Sequence, residues 1–270
     1  MKGRYHEVHS RDVIAAWYRR PGPVGIPGDT AEIAEYMRRQ AASALRSLYN
    51  ALESRWLVSP LALRRAEDKA AQLQRAAALG LATPRSCFSN DPAEVRAFAA
   101  SVGGRAIVKP HHVQGVYYQR QFRFPLAALW DGNASDADIA TSSSIYQEYV
   151  PKKMEIRAVV VGNKVFAGAI PAVEGRVDLR ESDDPADYRP HELPHAIKDQ
   201  LIRLTHGLGS RFGSADLLLT PDNDYVFLEL NPNGQWLWLD LMAGLKITDV
   251  LVAELLATPG RTDASRAIPQ

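Results

Sequence analysis

The segment "SADLLLTPDNDYVFLELNPNG" (214–234) constrains this chain more than any other. Two runs of branched and aromatic residues flank Pro-Asp-Asn-Asp, which cannot continue a strand, so the segment predicts a β-hairpin. With 221–224 as a four-residue loop and Thr220 paired to Tyr225, counting back sets Asp216 opposite Glu229. Asn231 lies two residues beyond Glu229 and therefore on the same face. The other face carries Ala215, Leu217, Leu219, Val226, Leu228 and Leu230, all apolar. Carboxylates opposed across an antiparallel pair lie about 4.5–5.5 Å apart and repel unless something positive lies between them. One face is therefore core and the other a cluster of hard oxygen donors. Taken alone, Asp216 or Glu229 reads as a strand-end residue facing solvent. As a set, two carboxylates and an amide oxygen suit Mg²⁺, which keeps positions open for water or phosphate oxygens.

The remaining chain reads as α+β with antiparallel hairpins, not alternating βαβ units. "DVIAAWY" (12–18) predicts a strand, and a proline and glycine loop follows it. Asp29 or Thr30 is the expected N-cap of a helix over 31–54, and a second helix is expected over 60–79, stopped by Gly80. "RSCFS" and "RAIVKP" predict strands around the helix "DPAEVRAFAASVGG". Residues 111–142 read as irregular and as a candidate mobile segment. "SSIYQEYV" is strand-like, and "MEIRAVVVGNKVFAGAIPAV" predicts a hairpin turning at Gly162-Asn163. A polar loop (174–192), the helix "HAIKDQLIRLTHGLG" and a last helix over 246–257 complete the order.

Composition excludes several functions. Lys+Arg (32) and Asp+Glu (31) nearly cancel, so no broad cationic field exists for nucleic acid to select. Cys87 is the only cysteine, which rules out an intramolecular disulfide or a Cys-rich zinc site. The longest apolar runs fall short of a membrane span and the first residues are too polar for a signal peptide, so a cytoplasmic protein without membrane attachment is expected.

A Mg²⁺ with so few protein ligands usually carries phosphates, which calls for lysines. No Walker sequence is present, and "GLGSRFG" (207–213) follows a helix where a dinucleotide loop must follow a strand, so it reads as a helix end and turn. Lys109 closes the strand "AIVKP" and Lys69 lies in "AEDKAAQL"; singly, each reads as a solvated lysine. His111 and His112 are adjacent and point apart, which argues against a joint site.

The stretches "RRAEDKAAQLQRAAALGLATPRS", "RAIVKP", "IYQEYVPKKMEIRAVVVGNKVFAGAI", "VDLR" and "GSADLLLTPDNDYVFLELNPNGQWLWLD" resemble the ATP-grasp superfamily. Within it the chain is similar to the peptide maturases of the microviridin (graspetide) type and, more distantly, to the ribosomal-protein glutamate ligases. "WYRRP" (17–21) also looks like part of that family's N-terminal region. The resemblance implies two α+β subdomains clasping a nucleotide behind a shortened, largely helical N-terminal region. The expected divisions are 1–84, a lid subdomain 85–150, a C-terminal subdomain 151–260 with the metal site, and a tail 261–270. The family's glycine-rich loop after the second lysine is represented here only by Gly115.

The same resemblance implies that Lys69 and Lys109 contact ATP phosphates and that the backbone of Gln147, Glu148, Tyr149 and Val150 binds adenine. It implies that Glu155 binds ribose or positions the nucleotide, that Arg157 and Arg180 face the transferred phosphate and the substrate carboxylate, and that Asp216, Glu229 and Asn231 hold one or two Mg²⁺. The implied reaction activates a side-chain carboxylate as an acyl phosphate, giving an amide or ester in a ribosomally made precursor peptide. Positioning and cationic charge carry such chemistry without a protein nucleophile. A ligase for a free amino acid or small metabolite, and a non-catalytic nucleotide- or peptide-binding module, stand as alternatives. The long Ala-rich helix near the N-terminus could pair two copies into a homodimer.

Overall fold

The structure, a computed structural model, describes residues 7–22, 30–52, 55–111, 116–118, 121–123, 125–173, 175–177 and 188–257. The expected strand over 12–18 shrinks to β1 (Ala16–Trp17), because Ser10–Asp12 forms a 3-10 turn ahead of it. Thr30 caps α1 (Ala31–Ala51), its hydroxyl accepting from the Ile33 N–H at 3.3 Å, and Leu52 closes the helix short of residue 54. β1 then pairs in parallel with β2 (Trp56–Val58).

The single helix expected over 60–79 is two. α2 (Pro60–Glu67) stops at Asp68, whose backbone is extended and whose carboxylate caps α3 (Lys69–Ala78) by accepting from the Ala71 N–H at 3.0 Å. An aspartate at mid-pattern competes with the helix for its own N–H groups, and here it starts a new helix. Gly80 ends α3 as expected, with φ +89°, while Leu81 N–H donates to Ala76 O and Gly80 N–H to Ala77 O.

A four-stranded antiparallel sheet follows, built from β3 (Ser86–Ser89), β4 (Ala106–Lys109), β7 (Ala128–Leu129) and β8 (Ser144–Glu148) in the order β3-β8-β4-β7. α4 (Pro92–Ser101) packs Val95 against Tyr146 of this sheet and against Ile139. The segment 111–142 is not simply irregular. It holds the hairpin β5 (Val116–Tyr118) and β6 (Gln121–Arg123), β7, and the six-residue α5 (Asp136–Thr141), whose start is fixed by reciprocal Ser135 and Asp138 hydrogen bonds. These elements are too short to show a period in sequence.

The second sheet has five antiparallel strands, β9 (Met154–Val161), β10 (Lys164–Pro171), β11 (Arg189–Pro190), β12 (Phe212–Leu219) and β13 (Tyr225–Asn231), in the order β11-β10-β9-β12-β13. Gly162-Asn163 forms the expected two-residue turn between β9 and β10. One face packs on α3 and α6 (His195–Gly207) through Ile156, Ala158, Val160, Ala215, Leu217, Phe227 and Leu230. The opposite face is divided along its length. At one end Val159, Val161 and Phe212 meet α7 (Leu237–Ala243) and α8 (Ile247–Leu256), and at the other stand Glu155, Arg157 and Asp216. Gly168 permits the approach of α7, since a Cβ there would lie 2.6 Å from Leu239 Cδ2. A single last helix was expected; α7 precedes it, and the Asp240 carboxylate of α7 accepts the Ile247 and Thr248 N–H groups that open α8.

The β12–β13 hairpin differs from expectation in two ways that offset one another. Leu219, not Thr220, pairs with Tyr225, so the loop has five residues, Thr220 to Asp224. The register then shifts between Asp216 and Leu217, which pair with Glu229 and Phe227 and leave Leu228 as a bulge. Asp216 faces Glu229 as expected, but Val226 and Leu228 leave the core face, where Phe227 takes their place.

Candidate active site

Arg157, Asp216 and Glu229 form a transverse row, because β9 pairs Arg157 with Asp216 and β13 pairs Asp216 with Glu229. The strand alternation sends all three to one face, and each acid meets a cation. Arg157 Nε lies 2.7 Å from Asp216 Oδ1, and Arg157 Nη1 donates to Ser214 Oγ at 3.2 Å. Lys69 reaches across from α3, with its Nζ 3.0 Å from Glu229 Oε2. Burial alone would raise the Glu229 pKa, but Lys69, Lys109 and Arg157 outweigh it and hold the carboxyl below the ordinary range. The Asp68 break makes Lys69 the first residue of α3, with its side chain directed at the strand end.

These residues line a cleft of about 260 Å³ that also takes in Lys109, Glu155, Tyr188 and Asn231. Glu155 shares a face with Arg157, as its spacing requires, and is paired with Lys152 at 2.8 Å, both side chains almost fully buried. Lys152 also donates to Val177 O at 3.2 Å, which ties the pair to the segment after β10. A narrower apolar slot adjoins the cleft between the two sheets. Pro84, Ile107, Leu218 and Leu228 line it, with Gln147, Glu148, Tyr149 and Val150 along one edge. Within that edge Glu148 N–H donates to Arg85 O at 3.0 Å and Tyr149 N–H to Arg105 O at 2.9 Å. The Gln147 side chain is buried and donates to Ser86 Oγ at 2.8 Å. Among the described residues the Val150 N–H has no hydrogen-bond partner, so it is the one backbone donor of the four that could serve a ligand.

Eleven of the twelve expected site residues, Lys69, Lys109, Gln147 to Val150, Glu155, Arg157, Asp216, Glu229 and Asn231, line these two adjoining spaces. Arg180, Gly115 and His112 lie outside the described residues. His111 is apart from the site, sharing a hydrogen bond with Ser143 Oγ and a ring contact with Phe88. Three residues of consequence had no assignment from sequence. Tyr188 lines the cleft against the Trp238 ring, Lys152 holds Glu155, and Gln72 joins α3 to β13. Tyr188 lies in a polar loop without periodicity, and Gln72 sits within a helix like any other amide, so neither carried a local signal.

Asp216, Glu229 and Asn231 offer two carboxylates and an amide oxygen from one face, a donor set that fits a hard divalent cation. Among the described residues no three His, Cys, Asp or Glu side chains are grouped to hold a metal ion. The third protein donor would therefore be Asn231 Oδ1, which the Asn233 N–H fixes at 2.8 Å. Gly234 keeps this turn tight, because a Cβ there would overlap the Ser214 side chain.

No protein-family model matches the chain. Its structure is similar to the macrocyclase MdnC bound with precursor peptide MdnA from Microcystis aeruginosa MRC, with TM-score 0.81 and 26% identity, over 94% of this chain and 81% of that one. It also shares its fold with the Chryseobacterium gregarium RiPP-associated ATP-grasp ligase in complex with ADP and a leader and core peptide, with TM-score 0.75 and 24% identity, over 91% and 77% of the two chains. By sequence it is 30% identical over 162 residues to the formate-dependent phosphoribosylglycinamide formyltransferase of Synechococcus elongatus, covering 57% of this chain. That match spans 41% of the relative's own length.

Proposed function

We propose that this chain, a member of the ATP-grasp superfamily, is an ATP- and Mg²⁺-dependent ligase that forms amide or ester bonds in a ribosomally made precursor peptide. The observation that carries this reading is the row of Arg157, Asp216 and Glu229, met by Lys69, at the floor of a cleft between two antiparallel sheets. An apolar slot with one spare backbone N–H suits adenine, and the buried Glu155 suits a ribose hydroxyl as an acceptor held by Lys152. Lys69 and Lys109 then face the phosphates as point charges. Asp216, Glu229 and Asn231 would hold Mg²⁺, which when bound neutralises charge on the phosphates.

A substrate carboxylate oxygen attacks the terminal phosphorus, and ADP leaves with the electrons of the broken P–O bond. An amine or hydroxyl then attacks the acyl carbon, phosphate leaves, and the nucleophile gives up its proton. Arg157 stabilises the charge that develops on the transferred group in both steps. Tyr188 has its phenol pKa pushed up to about 12, chiefly by burial, so at neutral pH it stands beside this group as a hydrogen-bond donor. The peptide substrate is supported by the precursor peptide seen on MdnC. We assign residues 85–150 to the lid and 151–260 to the metal-bearing subdomain. An ATP-consuming ligase of this kind would work in the cytoplasm; no helix among the described residues is long and apolar enough to cross a membrane.

Calorimetric titration with a non-hydrolysable ATP analogue, with and without Mg²⁺, tests the nucleotide half of the proposal. Mg²⁺-dependent binding that Lys109→Ala weakens is expected; absence of binding in every condition would overturn it. Incubation with ATP, Mg²⁺ and a candidate precursor peptide should then remove one water mass from the peptide per bond formed.

A further inference from the structure

β13 is the edge strand of the five-stranded sheet, and the Leu230 peptide turns its N–H and C=O away from β12. An edge peptide buried under a helix needs both groups satisfied. The primary amide of Gln72 does this as a stand-in for a sixth strand. Gln72 Nε2 donates to Leu230 O at 2.8 Å, and Leu230 N–H donates to Gln72 Oε1 at 2.8 Å. The same Nε2 contacts Ala66 O near the end of α2, and the side chain is 2% exposed. One buried amide therefore joins the end of α2, the first turn of α3 and the edge of β13.

We infer that Gln72 is a positioning residue that sets Lys69 against Glu229 and hence against the nucleotide phosphates; the inference rests on the nucleotide-binding reading above. Lys69 lies three residues before Gln72, on the same side of the first turn of α3. Glu229 is the residue before Leu230. The clasp fixes the sliding and rotation of α3 along β13, so the 3.0 Å Lys69–Glu229 pair follows from the two 2.8 Å bonds beside it. The need for such a clasp comes from the break at Asp68, because α3 starts afresh and α2 cannot orient its first turn through helical hydrogen bonds. Gln72 does not line the cleft and touches no reacting atom; it acts through Lys69.

The experiment is a double-mutant cycle read by calorimetry of the Mg²⁺ complex of the non-hydrolysable ATP analogue, using wild type, Gln72→Met, Lys69→Met and the double variant. Each single variant should weaken binding by about tenfold, the size of one or two lost hydrogen bonds. The double variant should bind no more weakly than Lys69→Met, because Gln72 has no route to the nucleotide once Lys69 is gone. Unchanged binding by Gln72→Met, or losses that add in full, would overturn the inference while leaving the nucleotide site in place. No binding by wild type would overturn both. If Gln72→Met fails to fold, Gln72→Glu replaces it. A buried glutamic acid keeps the acceptor for Leu230 N–H and regains the donor when protonated, so its affinity relative to wild type should rise as pH falls from about 8 to 5. A ratio that does not change with pH would count against the clasp.

Discussion

Asp216 and Glu229 stand directly opposite one another across β12 and β13, and Leu228 is extruded beside them as a bulge. Phe227 keeps its place in the core on one side of the bulge and Leu230 on the other, while Leu228 and Glu229 both turn to the cleft. The bulge thus puts an apolar slot wall and a charged floor on consecutive residues, which a regular strand cannot do.

Glu229→Gln should abolish Mg²⁺-dependent nucleotide binding with a modest effect on folding at neutral pH. The carboxyl's pKa is held below the ordinary range, burial being outweighed by Lys69, Lys109 and Arg157, so its ionised form contributes stability above the unfolded value near 4.3. That contribution is lost as pH falls through the folded value. Melting temperatures of wild type and variant should differ at pH 7 and draw together as pH falls into the acid range. A difference that stays constant across this range would refute the charge assignment.

Lys152→Ala should be more damaging than its position outside the reacting row suggests. It leaves the buried Glu155 carboxyl without its cation, and breaking a pair of this kind costs about 3–5 kcal/mol. Lys152→Ala with Glu155→Gln should recover most of the lost stability in denaturant titrations but not nucleotide affinity. Equal melting of wild type and Lys152→Ala would show that the pair is solvated in solution.

Gly234→Ala forces a methyl group into the Ser214 side chain and toward Asn231 O, 3.1 Å from the new Cβ. Overpacking of this sort costs about 1–3 kcal/mol. The turn that carries Asn231 should shift, so the variant should lose more Mg²⁺ dependence than stability. Adding Ser214→Gly removes the clashing atom and should restore part of the stability.

The Tyr188 phenol should titrate late, with the largest upward shift among the described tyrosines. Burial raises its pKa to about 12, with Asp216 and Glu155 adding to the rise and Arg157 and Arg176 opposing it. The folded value exceeds the ordinary one near 10, so the stability linked to this group is complete below pH 10 and is lost as pH rises through about 12. Ultraviolet titration should show a late-ionising tyrosine that Tyr188→Phe removes; identical alkaline curves for the two proteins would place that proton elsewhere.

Much of the protein is legible in its sequence wherever the signal is local. Alternation separates the core face of β9 and β12 from Glu155, Arg157 and Asp216, and caps such as Thr30, Asp91 and Gly80 mark helix ends, because each depends on a few neighbouring residues. The oxygen-donor set of Asp216, Glu229 and Asn231 is legible for the same reason, although its register came from a turn placed one residue off and a bulge that restored the count. The break at Asp68 could equally have been solvent-facing aspartate in one long helix, and only the packing of α3 on β13 decides it. The Gln72 clasp joins residues 158 apart in the chain, and the loss of the Glu148 and Tyr149 N–H groups to Arg85 and Arg105 depends on strand partners far away. No periodicity encodes such contacts. They exist because buried peptide groups must find partners once the chain is compact, and which partner each one finds is settled by the tertiary packing.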